Sequence, residues 1–158
     1  MKPTRSAVFN SFFMAGYECA DHLNCYGNRV NLLHLTHHHE QVLADYRALV
    51  ALGITTVREG ICWSSVEPHA YHYNFKELGM RIAAAQECGI QQVWDLCHFG
   101  FPDDLFPNHP HFAERFAALC HAFCLFYRQC TNQPLFVVLI NEISFLAWLG
   151  GDDRGSVR

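Results

Sequence analysis

Five polar residues that could transfer protons or bind hydroxyl groups lie within or at the ends of apolar runs in this sequence. Glu18 follows the first run, Arg58 lies in the second, His98 ends the third, and Asn141 and Glu142 end the fourth. A carboxylic acid can donate and accept protons during catalysis, while an imidazole, an amide and a guanidinium can bind hydroxyl or carboxylate oxygens. Chemistry at these positions requires a fold that brings the five side chains to one place.

The apolar runs alternate with segments of helical periodicity. Leu43, Tyr46, Leu49 and Val50 recur at helical spacing, and Gly53 follows them as a C-terminal cap would. We expect a polar loop at 17–40, strands at 8–16, 54–63, 91–99 and 136–142, and helices at 41–52, 74–89 and 110–128. Strands that alternate with helices of this length predict right-handed β-α-β units and a parallel sheet, so the expected fold class is α/β.

Two parallel architectures fit this pattern, the open doubly wound sheet and the closed eight-stranded barrel. A dinucleotide-binding open sheet predicts a Gly-rich turn after its first strand, but the stretch 18–28 reads ECADHLNCYGN and lacks the G-x-G-x-x-G spacing. A TIM barrel gathers its functional groups at the C-terminal ends of its strands, where the polar residues of this chain lie. The pattern therefore favours part of a (β/α)8 TIM barrel.

Composition argues against several classes of function. The chain has 158 residues, 51% of them apolar, and a net charge of −4, which predicts one domain with a core and no basic surface for nucleic acid. No apolar stretch approaches the roughly 20 residues that span a bilayer, and the N-terminus lacks the pattern of a secretory leader, so we expect a cytoplasmic protein without a membrane partner.

Cysteine and histidine usage gives no sign of a disulfide framework or a metal. The eight cysteines show no paired C-x-x-C spacing. The eleven histidines include a run at 37–39 and a pair around Pro110, and such runs are more typical of solvated surface than of a metal site. We therefore expect no metal and no cofactor.

Three motifs at consecutive strand ends resemble those of a known enzyme family. They read TTVREGICWSSVEP at 55–68, WDLCHFGFPDDL at 94–105 and INEISF at 140–145. Together they resemble the retaining glycoside hydrolases of clan A, and most closely those of the family 1 β-glucosidase type. In that clan an Arg ends the second barrel strand, a His followed by an aromatic and a Pro ends the third, and an Asn-Glu pair ends the fourth.

The resemblance implies a catalytic role for Glu142. It would be the general acid/base, which protonates the departing glycosidic oxygen and later deprotonates the attacking water, and partial burial would raise its pKa for this task. Asn141 would bind the 2-hydroxyl of the sugar, and Arg58 would lie beside the carboxylate nucleophile. The alternatives are that Glu142 only favours a helix N-terminus and that Arg58 only forms an ordinary ion pair with Glu59 or a neighbour.

The resemblance also implies a set of sugar-binding residues. His98 and Glu18 would bind sugar hydroxyl groups, and Trp63 and Trp148 would stack on apolar sugar faces. A single His is more often a satisfied core residue, and aromatic residues are more often core, so both alternatives stay open here. The implied partner is a carbohydrate substrate.

The resemblance covers only the N-terminal half of a barrel, with about four strands and three helices. Residues 1–158 would form a partial TIM-barrel glycoside hydrolase domain without the C-terminal half, which carries the nucleophile in that clan. We expect the chain to be inactive alone and to associate with a complementary half or with itself, because strand edges and an apolar interior would be exposed. A non-catalytic carbohydrate-binding or scaffolding fragment is the alternative, and a metal-dependent barrel hydrolase is disfavoured because no His-x-His ends the first strand.

Overall fold

The computed structural model describes residues 8–151, with side chains described up to Trp148. The ends of the predicted domain, 1–7 and 152–158, lie outside the described residues. The elements in chain order are β1 Ala15–Gly16, β2 Asp21–Leu23, β3 Arg29–Asn31, α1 Leu32–Leu35, α2 His38–Ala51, β4 Thr56–Gly60, α3 Trp63–Val66, α4 Lys76–Cys88, β5 Gln91–Asp95, α5 Phe112–Cys130, β6 Phe136–Val138 and α6 Ile143–Gly151.

The central sheet has four parallel strands in the order β1-β4-β5-β6. Helices α2, α4 and α5 form the connections between successive strands of this sheet. Each strand of this sheet pairs with the next strand of the same sheet along the chain. The strand order does not reverse as it does in a doubly wound sheet. The predicted α/β class with a parallel sheet is confirmed, and the architecture matches part of a TIM-barrel-like fold.

The three long helices begin and end close to the predicted positions. Helix α2 begins at His38, three residues before the predicted start, and Gly53 follows its end with a φ of 75°. The Asn74 Oδ1 atom accepts a hydrogen bond from the Lys76 amide at 3.2 Å, so Asn74 binds the first turn of α4. Gly89 ends that helix in the left-handed conformation, with a φ of 68°, which glycine adopts without a steric penalty.

The prediction of a loop at 17–40 was wrong. This stretch contains the antiparallel hairpin of β2 and β3, followed by α1. The turn is stabilised by Asn24, whose Oδ1 atom accepts hydrogen bonds from the amides of Tyr26 at 2.9 Å and Asn28 at 3.0 Å. Such local side-chain bonds give a hairpin turn that an alternation of apolar residues would not show.

The first strand is shorter than the predicted 8–16. Only β1 pairs with β4, because the preceding residues bond to the sheet through side chains instead. The Ser11 Oγ atom accepts from the amides of Thr55 and Thr56, both at 3.0 Å. Apolar residues in this segment do not face a core, since Phe12 is 93% exposed and Phe13 is 72% exposed.

The hydrophobic core lies between the sheet and the helices. Trp94 on β5 packs against Phe123 on α5, with ring centroids 5.3 Å apart, and Ile82 of α4 is buried in the same cluster. A buried polar group lies in this layer too, because Glu59 on β4 faces the helices and pairs with Arg81 of α4 at 2.8 Å. The helix face of the sheet is therefore filled.

No helix of the described residues is both long and apolar enough to cross a membrane.

Candidate active site at the strand ends

Arg58 and Asp95 occupy the sheet face opposite to the helices. Because side chains alternate along a strand, Arg58 points away from the neighbouring Glu59, which faces α2 and α4. The Arg58 Nη2 group forms an ion pair with the Asp95 carboxylate and donates to Asn141 Oδ1 at 2.6 Å. Arg58 does not pair with Glu59, but its ion pair with Asp95 is a pair with another neighbour, so the alternative of an ordinary ion pair stays open.

His98 lies between three other polar groups of the site. Its Nδ1 atom is 3.1 Å from Asp95 Oδ2, and its Nε2 atom is 3.2 Å from Asn141 Nδ2 and 3.4 Å from Glu18 Oε1. An amide nitrogen can only donate, so Asn141 donates to Nε2 and the ring carries its proton on Nδ1, facing the Asp95 carboxylate. Both nitrogens of this largely buried imidazole are thus engaged by groups at the strand ends.

We call the connected residues Glu18, Cys19, Arg58, Asp95, His98 and Asn141 the strand-end network. They come from the C-terminal ends of β1, β4, β5 and β6 or from the residues just after them. Four of them, Glu18, Arg58, His98 and Asn141, are residues that the sequence proposed for substrate binding. The fold brings these four together.

Glu142 follows the network directly and lies at the start of α6. Its backbone carbonyl accepts hydrogen bonds from the amides of Phe145 at 2.8 Å and Leu146 at 3.0 Å. Its side chain is exposed in the described residues, so the expected partial burial is not present.

The backbone at Glu142 has a φ of 43°, a conformation that non-glycine residues rarely adopt. The same left-handed region is occupied by Cys62, with a φ of 51°, and by Phe99, with a φ of 63°. These three residues follow β4, β5 and β6 within a few positions, whereas His37 and Tyr71, which also have a positive φ, do not. Backbone conformations of this kind cluster at functional sites, where the surrounding structure holds them.

Trp63 does not fit the role of a sugar-stacking residue in this structure. It is 1% exposed, and its ring packs against Phe112 and Phe116 of α5 with centroids 5.3 Å and 5.4 Å away. Its indole nitrogen donates to the buried carboxylate of Glu67. Because helix α5 and Glu67 cover the ring, Trp63 belongs to the core, as the alternative in the sequence argument had it.

Trp148 is 63% exposed and continues an aromatic surface that begins beside His98. The Phe99 ring meets His98 edge to face at 4.9 Å and lies 5.0 Å from the ring of Phe145, which lies 6.2 Å from that of Trp148. We call Phe99, Phe145 and Trp148 the aromatic edge of the site. Such an edge offers apolar faces next to polar groups, which suits a ring with hydroxyl groups on its rim.

Sequence reasoning missed Asp95 and Cys19. The signal for Asp95 was a single carboxylate inside the apolar run 91–97, three residues before His98. The Cys19 Sγ atom lies 3.2 Å from His98 Nδ1, and burial, followed by the Asp95 charge, raises the pKa of its thiol well above the ordinary value. Cys19, Asp95 and His98 place one possible metal-ligand atom each within 4.8 Å of one another.

A close backbone contact fixes the loops around the site. A Cβ atom at Gly100 would lie 1.4 Å from the carbonyl oxygen of Asp21, so only glycine fits there. The Asp21 amide donates to the His98 carbonyl at 3.3 Å, and its buried carboxylate accepts from the Ser64 hydroxyl at 2.6 Å. The hairpin after β1 is thereby held against the loops that follow β4 and β5.

No model of a known protein family matches the sequence, and no curated protein matches it significantly. Solved structures do match. A β-glycosidase is 20% identical over 63% of this chain and 26% of its own length, with a TM-score of 0.56. The structure of β-glucosidase 2 of the fungus Trichoderma reesei in complex with Tris is 18% identical over 66% of this chain and 24% of its own length, with a TM-score of 0.54.

A third similar structure is the β-glycosidase of Pyrococcus horikoshii, which is 21% identical over 72% of this chain and 27% of its own, with a TM-score of 0.52. The chain spans about a quarter of the length of these three proteins. Identities at this level show the fold. The resemblance to β-glycosidases is therefore confirmed for the fold, and the chain has the architecture of part of such a barrel.

Proposed function

We propose that the strand-end network and Glu142 are the acid/base and sugar-binding part of a retaining β-glycosidase site. The observation that carries this proposal is the position of Asn141. Arg58 and His98 hold its side-chain amide, and Glu142 is the next residue in the chain. The similar structures include β-glycosidases and a β-glucosidase, which supports a β-linked carbohydrate as the substrate.

Asn141 would bind the sugar hydroxyl next to the reacting carbon. A primary amide has two protons, and the hydrogen bond to His98 uses one of them, so the second can be donated to a hydroxyl group. Arg58 holds the amide oxygen at 2.6 Å and thereby sets the orientation of the amide plane. A contact to the 2-hydroxyl strengthens in the oxocarbenium-like transition state and so contributes to the rate.

Glu142 would transfer the protons of both chemical steps. In the first step its carboxylic acid protonates the departing glycosidic oxygen, and in the second its carboxylate accepts a proton from water that attacks the glycosyl-enzyme. Glu18 and His98 would bind further hydroxyl groups, and Trp148 on the aromatic edge would stack against a sugar ring.

The nucleophile of this reaction would come from outside the described residues. A retaining site needs a second carboxylate roughly 5 Å from the acid/base. We propose that residues 1–158 act as one part of a barrel domain whose other strands supply this carboxylate and also cover Glu142. A complementary half is therefore the expected partner, with self-association as the alternative use of the same exposed edges.

The test joins this chain to the C-terminal strands of a β-glycosidase and compares Glu142→Ala with the parent fusion. We expect kcat/KM to fall far more for substrates with poor leaving groups, which need a proton, than for activated aryl glycosides. Azide should restore the rate of the variant with activated substrates and give a product of retained configuration. The matched control is Glu87→Ala, which removes an exposed carboxylate on α4 that pairs with Arg47.

Several outcomes would contradict the proposal. An equal loss for all leaving groups without azide rescue would remove Glu142 from the mechanism. Hydrolysis by the 158-residue chain alone, abolished by Glu142→Gln, would show that the nucleophile is not missing. Sugar binding by a correctly folded fusion that never turns over would favour a non-catalytic carbohydrate-binding fragment, a role that the exposed Trp148 and the intact network also fit.

A further inference from the structure

Three possible metal ligands of different chemistry converge within the strand-end network. The His98 Nδ1 atom is 3.1 Å from Asp95 Oδ2 and 3.2 Å from Cys19 Sγ, and the Cys19 and Asp95 atoms are 3.9 Å apart. The group is the one set of three such ligands found among residues 8–148. It does not include the histidine runs that a sequence search would consider first.

The distances lie within a few tenths of an ångström of the edges of a coordination tetrahedron. Zinc binds sulfur at about 2.3 Å and nitrogen or oxygen at about 2.0–2.2 Å, so ligand atoms of a tetrahedral site lie roughly 3.4–3.6 Å apart. The three observed separations, 3.1, 3.2 and 3.9 Å, lie on either side of this range. A shift of a few tenths of an ångström in each side chain would therefore complete three corners of the tetrahedron.

The surroundings of the three ligands are those that orient a metal site. The Cys97 amide donates to Asp95 Oδ1 at 3.3 Å and Arg58 binds Oδ2, so the carboxylate is held in place. On the other side of the imidazole, Glu18 Oε1 lies 3.4 Å from His98 Nε2. A carboxylate on the second ring nitrogen is the usual partner of a metal-binding histidine.

The three possible ligands differ in exposure, since the Cys19 and Asp95 side chains are buried and that of His98 is 12% exposed. A thiolate, an imidazole and a carboxylate together suit Zn²⁺, whereas Mg²⁺ and Ca²⁺ prefer oxygen ligands alone.

We propose that Cys19, Asp95 and His98 bind one Zn²⁺ ion through Sγ, Oδ2 and Nδ1, with the fourth position open to water. On binding, the Cys19 thiol gives its proton to solvent, and the Nδ1 proton of His98 leaves while Nε2 becomes protonated beside Glu18. The hydrogen bond from Asn141 to Nε2 is then lost. The metal would therefore release Asn141 from one of its two positioning contacts.

The experiment titrates the chelator-treated 158-residue chain with Co²⁺ and then displaces it with Zn²⁺. We expect one ion per chain, a thiolate-to-cobalt charge-transfer band, and loss of that band when Zn²⁺ is added. Cys19→Ser should abolish the band, and His98→Asn should weaken binding at least roughly tenfold, since even the loss of a residue that only orients a ligand has an effect of this size. These readouts do not use glycosidase activity, so they succeed or fail independently of the proposed function.

Two controls address other places where a metal could bind. Cys62→Ser changes a neighbouring buried thiol whose Sγ atom faces the Cys19 carbonyl, and it should leave the band unchanged. The double variant His37→Ala and His39→Ala removes one exposed and one partly buried imidazole of the histidine run and should leave the affinity unchanged. Circular dichroism establishes that each variant is folded.

The proposal is overturned by binding without a thiolate band, by a band that survives in Cys19→Ser, or by binding that disappears in the double histidine variant. If Cys19→Ser does not fold, His98→Asn and the sulfur coordination of Zn²⁺ in the parent chain, measured by X-ray absorption, decide the matter. Absence of sulfur from the zinc shell would also overturn it.

Discussion

Arg58 connects two strands of the site, because its guanidinium contacts both the buried carboxylate of Asp95 and the amide of Asn141. We expect Arg58→Met to lower the free energy of unfolding by about 1–3 kcal/mol, since Asp95 would lose a charged hydrogen-bond donor while its side chain stays buried. Urea denaturation measures this change. In the matched variant Arg47→Met, the lost pair with Glu87 is exposed, and the expected change is within about 1 kcal/mol.

A double-mutant cycle makes this expectation more specific. In an Asp95→Asn background no carboxylate remains at position 95 to pair with the guanidinium. Arg58→Met should therefore lower the free energy of unfolding by less than it does in the parent. Equal effects of Arg58→Met in the two backgrounds would show that the two side chains are not coupled. A loss as small as that of Arg47→Met would argue that solvent replaces the guanidinium at this position.

The site was only partly predictable at the level of residues. Arg58, His98 and Asn141 could be predicted because each lies in or at the end of a recognisable apolar run, and parallel strands bring such positions to one edge. Trp63 was misassigned because Phe112 and Phe116, which cover its ring, lie about 50 residues further along the chain. Cys19 could not be predicted, since a single cysteine shows no partner until the strands are placed side by side.

At the level of elements, a charged cluster between β4 and the helices sets an expected pH dependence. His38 of α2 contacts Asp45 at 2.6 Å through Nδ1 and Glu59 at 2.9 Å through Nε2, and Glu59 also binds Arg81 and Tyr46. Burial alone would lower the pKa of His38, but the hydrogen bonds and charges of the two carboxylates outweigh it and raise that pKa.

A raised pKa in the folded state means that protonated His38 stabilises the fold. This contribution is complete below the ordinary histidine pKa and is lost as the pH rises through the raised value. We expect the unfolding free energy of the parent to fall as the pH rises above about 6.5, the ordinary histidine pKa, more steeply than that of His38→Gln, since only the parent has this group to titrate. Urea denaturation at several pH values measures the slopes.

The control for this pH dependence is His121→Gln, which changes an exposed histidine on α5 and should keep the parent slope. A His38→Gln slope equal to the parent slope would show that His38 is not the responsible group.

Glu59 affects stability in the acidic range instead. Burial opposes its ionisation, but His38 and Arg81 lower its pKa, so its contribution is lost only as the pH falls through that lowered value.

The long elements were more predictable than the short ones. Helices α2, α4 and α5 have apolar periodicity and glycine or polar residues at their ends, and they were found near the predicted bounds. The hairpin of β2 and β3 was not predicted because each of its strands has only three residues, and its turn depends on the Asn24 side chain. A strand of three residues with mixed polarity is too short to show the alternation of apolar and polar residues that predicts a strand.

At the scale of the whole molecule, apolar side chains lie exposed next to sheet strands that have one partner each. Phe12 and Phe13 precede β1, Leu139 follows β6, and within residues 8–151 these two strands form the ends of the sheet. We expect the 158-residue chain to self-associate at high concentration, since exposed strand edges and apolar surface promote contacts between copies.

Light scattering across a concentration series tests this expectation with the double variant Phe12→Ser and Phe13→Ser. Association should shift to a higher concentration in the variant. The control Leu52→Ser removes an apolar side chain that is 75% exposed just after the end of α2 and should associate like the parent. A monomeric parent at all concentrations, or an equal shift in the control, would contradict a role for the sheet edge.

The order of strands in the sheet allows the chain to build it from one side during synthesis. Each parallel strand pairs with the one made before it, so a chain emerging from the ribosome can add β4 to β1, then β5, then β6. Asn141 lies just after β6, the last of these strands. Its side chain accepts a hydrogen bond from the Arg58 guanidinium and contacts His98. Folding in this order would complete the strand-end network last, after β1, β4 and β5 have paired, and a nascent chain that stalls before β6 would lack the Asn141 contacts.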